Sequence, residues 1–124
     1  MTIIRPPDTE YEIQRDLAPY FTVYCRPLPE QYTLPCLLIT LVGGSERNMV
    51  DSVDFTIDSR AETAGEASEY LRNAIGVLKA LYGHYTQINT IGAWGKDPMR
   101  PDINMEQARM RVYVHPEKVE VNHK

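Results

Sequence analysis

Asp51, Asp54 and Asp58 are the first carboxylates that could share a metal or act as an acid and a base, because they crowd one short stretch. On a strand, Asp54 and Asp58 would lie on the same face but roughly 13 Å apart. That is too far for one ion, and no histidine or glutamate nearby completes a ligand set. A solvated strand face is the expectation for them. His84, His115 and His123 have no i, i+4 partner and no HExxH setting. His84 follows a long helical pattern, where a cation suits the helix dipole. Cys25 and Cys36, with ten residues between them, match neither a zinc spacing nor a CxxC redox pair. Both stand among apolar residues and are expected as buried free thiols.

Nucleophilic chemistry finds no better footing. Ser45 follows Gly43-Gly44, but a nucleophile elbow needs G-x-S-x-G between a strand and a helix. The same glycines lack the Lys-Ser/Thr of a phosphate loop, so they read as a turn between strands. Cys25 has no cationic or helix-terminal setting to lower its pKa. The segment Gly92-Ala-Trp-Gly-Lys-Asp-Pro-Met-Arg-Pro reads differently. Its Trp94, Lys96 and Arg100 sit in a glycine- and proline-rich stretch, with Arg109 and Arg111 following. Trp and Arg are enriched at interface hot spots, so this loop is a candidate contact surface. A second candidate is the polar hairpin tip at Arg47 and Asn48. No cofactor pattern is present, and none is expected.

These residues have to be positioned by a chain of 124 residues, of which 43% are hydrophobic and 24% charged. That size suits one domain, 1–115, burying about two-thirds of its unfolded surface without staples. Residues 1–8 read as an extended arm and 116–124 as a loose polar tail. With 13 Lys+Arg against 17 Asp+Glu, the net charge is −4, which disfavours a general nucleic-acid binder. No apolar run approaches the ~20 residues of a membrane span. The first residues lack a signal-peptide layout. Cytoplasmic folding, away from membranes, is the expectation.

Thr9 and Glu12 suggest a capping box opening a short helix over about 9–18, ended by Pro19. Residues 21–25 alternate as a strand, and Pro27, Pro29 and Pro35 mark a rigid loop. Cys36 to Val42 reads as a strand covered on both faces. A third strand, about 49–58, points Val53, Phe55 and Ile57 one way and Asp54, Thr56 and Asp58 the other. Ser59-x-x-Glu62 suggests a second capping box. Ala64, Ala67, Leu71, Ala74, Ile75, Leu78 and Leu81 then form the apolar stripe of a long helix, with Gly83 past its end. Strands near 86–94 and 107–115 follow, separated by a loop holding Pro98 and Pro101. In the last strand Met110, Val112 and Val114 oppose Arg109, Arg111 and Tyr113. The expected fold class is α+β, in the order α-β-β-β-α-β-β. It has a mostly antiparallel sheet of four to five strands and the long amphipathic helix packed on one face.

Taken together, these segments resemble the tail-terminator (tail completion) proteins of long-tailed bacteriophages over roughly 6–115. The resemblance lies in "VYCRPLPEQYTLPCLLITLVGG", "DSVDFTIDSRAETAGEASEYLRNAIGVLKAL" and the final "QARMRVYVHP". The stretch "HYTQINTIGAWGKDPMRPDIN" departs from the pattern, with Pro98 and Pro101 displaced among charges. The resemblance implies a structural protein that is not an enzyme. Such proteins form a ring, a hexamer of α/β subunits, on the head-proximal end of the tail tube. Its implied partners are copies of itself, the major tail tube protein and a head-completion or stopper protein. DNA passes through its lumen without specific binding. It works in the host cytoplasm during assembly and in the virion afterwards. A stopper is the neighbouring alternative. A small enzyme with a pocket between helix and sheet is the reading from another class.

Overall fold

The computed structural model describes residues 1–44, 52–81, 83–89 and 92–124, with 43–44 and 92–94 as backbone only. Arg47, Asn48, Ser45 and Asp51 therefore lie outside the described residues. The chain runs β1 (Thr2–Arg5), α1 (Thr9–Leu17), β2 (Val23–Cys25), β3 (Cys36–Gly44), β4 (Ser52–Ala61), α2 (Ala64–Ala80), β5 (Tyr85–Gln87), β6 (Gly92–Asp97), β7 (Arg100–Tyr113) and β8 (Glu117–Glu120). The fold is α+β. One sheet has the order β2-β3-β4-β7-β5, with β6 also on β7, and a separate ribbon pairs β1 with β8. Among the described residues no helix is long and apolar enough to cross a membrane.

Period-two alternation builds the core. Val53, Phe55 and Ile57 of β4 stand opposite Val112, Met110 and Ala108 of β7, and Ile57 also faces Ile39 of β3. All lie on one side of the sheet and are buried. Against them α2 lays Leu71, Ala74, Ile75 and Leu78, and α1 adds Ile13 and Leu17. Each large side chain so buried contributes about 1.5–3 kcal/mol. The space between long helix and sheet is thus filled with side chains. Arg109, Arg111 and Tyr113 face the opposite side from this core, as the alternation predicts.

Several elements differ from the sequence-based expectation, each for a local reason. The N-cap of α1 is Asp8, whose Oδ1 accepts from the Tyr11 amide at 3.2 Å. Thr9 is already helical, because aspartate after Pro7 caps at least as well as threonine. The box at Ser59–Glu62 fails because Ser59, Arg60 and Ala61 still pair with Glu106, Met105 and Asn104 in the sheet. The helix starts behind Thr63, whose hydroxyl accepts from the Glu66 amide at 3.1 Å. Buried Ser59 instead donates to the Ala67 carbonyl at 2.8 Å, tying helix to sheet. Ala67 is buried as expected, but Ala64 is exposed. Gly83 adopts a left-handed φ of 66° beyond the C-cap Leu81.

The sheet is also larger than four to five strands in the expected order. The strand expected over 86–94 is two strands, β5 and β6, both on one edge of β7. β5 pairs with Met110–Val112, and β6 spans Arg100–Gln107. A 14-residue strand has room for both. Pro101 lies inside β7, at its start and ahead of its ladder with β4, where proline is tolerated. β2 runs parallel to β3 while the other pairs are antiparallel. The tail is not loose, and the extended arm is its partner strand. Ile3 pairs with Val119 and Arg5 with Glu117, and the Arg5 and Glu117 side chains bond at 2.7 Å.

Thr63→Ala should lower stability by about 1 kcal/mol, the usual cost of a lost N-cap, as read by urea unfolding. Ser59→Ala should cost at least as much, since it orphans part of the bond to the helix backbone. An unchanged midpoint for Thr63→Ala would remove Thr63 as the cap.

Candidate functional site

The turn between β6 and β7 reads Asp97-Pro98-Met99-Arg100. Aspartate then proline is the preferred opening of a tight turn, because proline presets φ and the carboxylate takes up free amides. Asp97 Oδ1 accepts from the Met99 amide at 2.9 Å. Its Oδ2 accepts from the Tyr32 hydroxyl at 2.7 Å and from Arg60 Nη1 at 2.6 Å. The Arg60 and Asp97 side chains are each only 11% exposed. Three distant segments meet there: the Pro-rich loop, the end of β4 and the β6–β7 turn. The Tyr32 hydroxyl bond, with the Arg60 charge, holds the Asp97 carboxyl below its ordinary pKa. Tyr32 itself is pushed up, first by burial and then by its bond to Asp97.

The Tyr32 ring has the guanidinium carbons of Arg60 and Arg100 each 5.6 Å from its centroid. Beside it opens a pocket of about 320 Å³ walled by Leu28, Pro29, Tyr32, Met99 and Arg100, with Glu30 also lining it. Met99 is 88% exposed. An aromatic ring, a methionine and an arginine on one surface are the composition of an interface centre.

Of the sequence-derived candidates, the structure brings Arg100 into this cluster. Lys96 pairs with Asn104, so alternation places it on the other face from Asp97. Trp94 stands in β6 where the ladder shifts register between Ala93 and Gly95. Arg111 belongs elsewhere, donating from Nε and Nη2 to Asp54 at 2.7 and 3.3 Å. That pair holds Asp54 below its ordinary range. Tyr32, Arg60 and Asp97 escaped the sequence reading. The Asp-Pro pair was the one local signal that could have found the turn.

Burial raises Cys25 and Cys36 to about 11, so both are poor nucleophiles at neutral pH. Both are free thiols, Cys36 buried and Cys25 partly so. His84 and His115 face each other with centroids 6.5 Å apart, lining a cavity of about 240 Å³ with Glu12, Asp16 and Tyr85. The Tyr85 hydroxyl donates to Asp16 there at 2.7 Å. Among the described residues no three His, Cys, Asp or Glu converge as metal ligands.

Asp58 corrects the expectation of a solvated face. It pairs with Leu38 and Gln107 and is 1% exposed. Its sheet neighbours Leu38 and Gln107 flank it, and Arg60 and Arg26 lie close by, on the side of the sheet that alternation assigns to water. Burial raises the carboxyl to about 6, outweighing a bond from Gln107 and the charges of Arg60 and Arg26. Its Oδ1 has no hydrogen-bond partner.

The folded chain holds the Asp58 proton more tightly than the unfolded chain, whose value is near the ordinary 3.8. The stabilisation is therefore full below about 3.8 and is lost as pH rises through about 6. The difference amounts to about 3 kcal/mol. Asp58→Asn should raise the unfolding free energy at pH 7.5 by up to that amount and by little at pH 4. Equal effects at both pH values would overturn the assignment. Comparison with models of protein families and with curated proteins finds no match for this chain.

Proposed function

We propose that this chain is a structural virion subunit without enzymatic activity. It caps the head-proximal end of a phage tail tube as a ring, stops tube polymerisation and offers the surface that receives the head. One observation carries the reading. Side chains of contact type stand at opposite ends of the long strand β7: the Tyr32–Met99–Arg100 cluster at its start, and the terminal ribbon beyond its end. A subunit that joins like copies head to tail needs two unlike surfaces placed in this way.

The resemblance supports the same reading. The strand, Pro-rich loop and apolar strand ending in Gly-Gly correspond to β2, residues 26–35 and β3. The Ala/Glu-rich helix is α2, packed across the sheet. The net charge of −4 also suits a conduit through which DNA must slide without being gripped. The partners proposed are further copies of the chain, the tube protein below and a head-completion protein above.

Deleting the gene from the phage that encodes it should yield overlong, headless tails, measured by electron microscopy. Tails of normal length beside unattached filled heads would move the role to a stopper that joins head to tail.

A further inference from the structure

The large sheet has two open edges, β2 at one end of its strand order and β5 at the other. An edge strand presents unpaired backbone groups and is a template for pairing with another chain. On β5 the Ile88 amide donates to the Arg109 carbonyl, and the His84 carbonyl accepts from the Tyr113 amide. His84, Thr86 and Ile88 therefore face β7, and alternation turns the backbone groups of Tyr85 and Gln87 outward. On β2 the Thr22 carbonyl accepts from the Leu37 amide. Thr22 and Tyr24 thus face β3, while Val23 and Cys25 face outward. A cavity of about 430 Å³ lies beside β5, walled by Lys79 and residues 85–89.

The two edges match in three respects. The first is side-chain phase. Val23, Cys25 and Tyr85 all point to the helix side and pack in or against the core, and Gln87 shares that side by alternation. A ladder joining the outward-facing residues therefore keeps the helices of both copies on one side of a shared sheet. The second is direction. β4 and β5 run one way, and β2, β3 and β7 run the other. A neighbour related by rotation about the strand direction meets β5 with an antiparallel β2. The third is charge. Lys79, exposed on α2, stands at the β5 edge. Glu10 of α1 stands beside Cys25 at the β2 edge, close enough to bond its thiol. Both helices pack on the same side of the sheet. Among the described residues no ion pair uses either Lys79 or Glu10.

We infer that β5 of one copy pairs with β2 of the next, continuing the sheet from subunit to subunit. Tyr85 lies opposite Cys25 and Gln87 opposite Val23, each pair exchanging both of its backbone bonds, with Lys79 toward Glu10. Across the sheet Tyr85 is level with Val53 and Cys25 with Ile57. Joined copies are offset along the strands by that interval, and a stagger of this kind tilts the strands of a closed sheet. The two edges differ, so the contact is heterologous and propagates from copy to copy. The inference rests on the ring reading for its biological meaning and names a side-to-side contact for that ring. The surfaces at the ends of β7 lie along the strands and stay outside it.

Sedimentation equilibrium of the full chain at about 0.5 mM, a concentration that reveals submillimolar contacts, tests it. The wild type should associate. Amide exchange at Val23, Cys25, Tyr85 and Gln87, followed by NMR, should slow as the concentration rises. Lys79→Glu and Glu10→Lys should each associate about fivefold or more weakly. The double variant, with both charges reversed, should regain wild-type association. Gln87→Pro removes an outward donor and should leave monomers. Circular dichroism checks the fold, and if the proline variant unfolds the charge reversals decide alone. A monomeric wild type, slowed exchange confined to other amides, single reversals that associate like wild type, or a double variant that stays weak would each overturn the contact. Tail length after gene deletion reads the tail-capping role separately. Overlong tails together with insensitive variants would retire this contact and keep that role. A contact that responds as expected, with tails of normal length, would do the reverse.

Discussion

The ten-pair antiparallel ladder between β4 and β7 constrains the rest of the molecule, because both strands sit in the middle of the sheet. A central strand has two faces, and each has to be covered or solvated along its length. On one side the solution is conventional. Val53, Phe55, Ile57, Ala108, Met110 and Val112 form an apolar floor, and α1 and α2 pack upon it. That demand sets the phase of α2, whose Leu71, Ala74, Ile75 and Leu78 recur at helical spacing. It also accounts for the close approach at Ala67, where a larger residue would push the helix away from Ser59.

The other side of the ladder is divided. Toward the end of β3 it is polar, with Thr40 bonded to Arg26 and Asp54 to Arg111. Toward the start of β7 it is covered by the Pro-rich loop, fastened through Tyr32 to Arg60 and Asp97. A buried ion pair of this kind is a weak source of net stability, but losing one partner costs about 3–5 kcal/mol through the charge left behind. The pair therefore acts chiefly as a fastening that holds the loop in register with the turn. Asp58 shows the cost of such burial. It is buried in the neighbouring part of that face with one oxygen unsatisfied, and its ionised form opposes folding. The opposite directions of Asp97 and Asp58 follow from one difference, since Asp97 has donors aimed at both oxygens.

Legibility from sequence followed the range of the interactions involved. The α+β class, the long helix, the alternation of β4 and the opposed faces of Met110 and Arg111 arise from patterns of period two or 3.6, and these can be read along the chain. The helix starts were less legible. Thr63-Ala-Gly-Glu66 and Ser59-Arg-Ala-Glu62 carry the same capping signature. Only the pairing of Ser59 and Ala61 with β7 decides between them. Pro98 and Pro101 marked a break correctly but overstated it, since a tight turn needs far fewer residues than a loop. At the candidate site Arg100 was legible by residue type, whereas Tyr32, Arg60 and Asp97 were not, because each belongs to a different segment.

The sequence by itself determined which residues seek burial and at what spacing, because side-chain hydrophobicity and backbone periodicity are local properties. It also determined the acidic balance and the absence of any familiar catalytic signature. Only the tertiary structure decided that β1 pairs with β8, that β5 and β6 share an edge of β7, and that Asp58 is shielded from water. Those outcomes depend on contacts across large sequence separations, where loop closure brings together groups that carry no mark of one another in the linear chain. The candidate site belongs to this second class, since its three partners acquire a shared chemistry only once the ladder has aligned them.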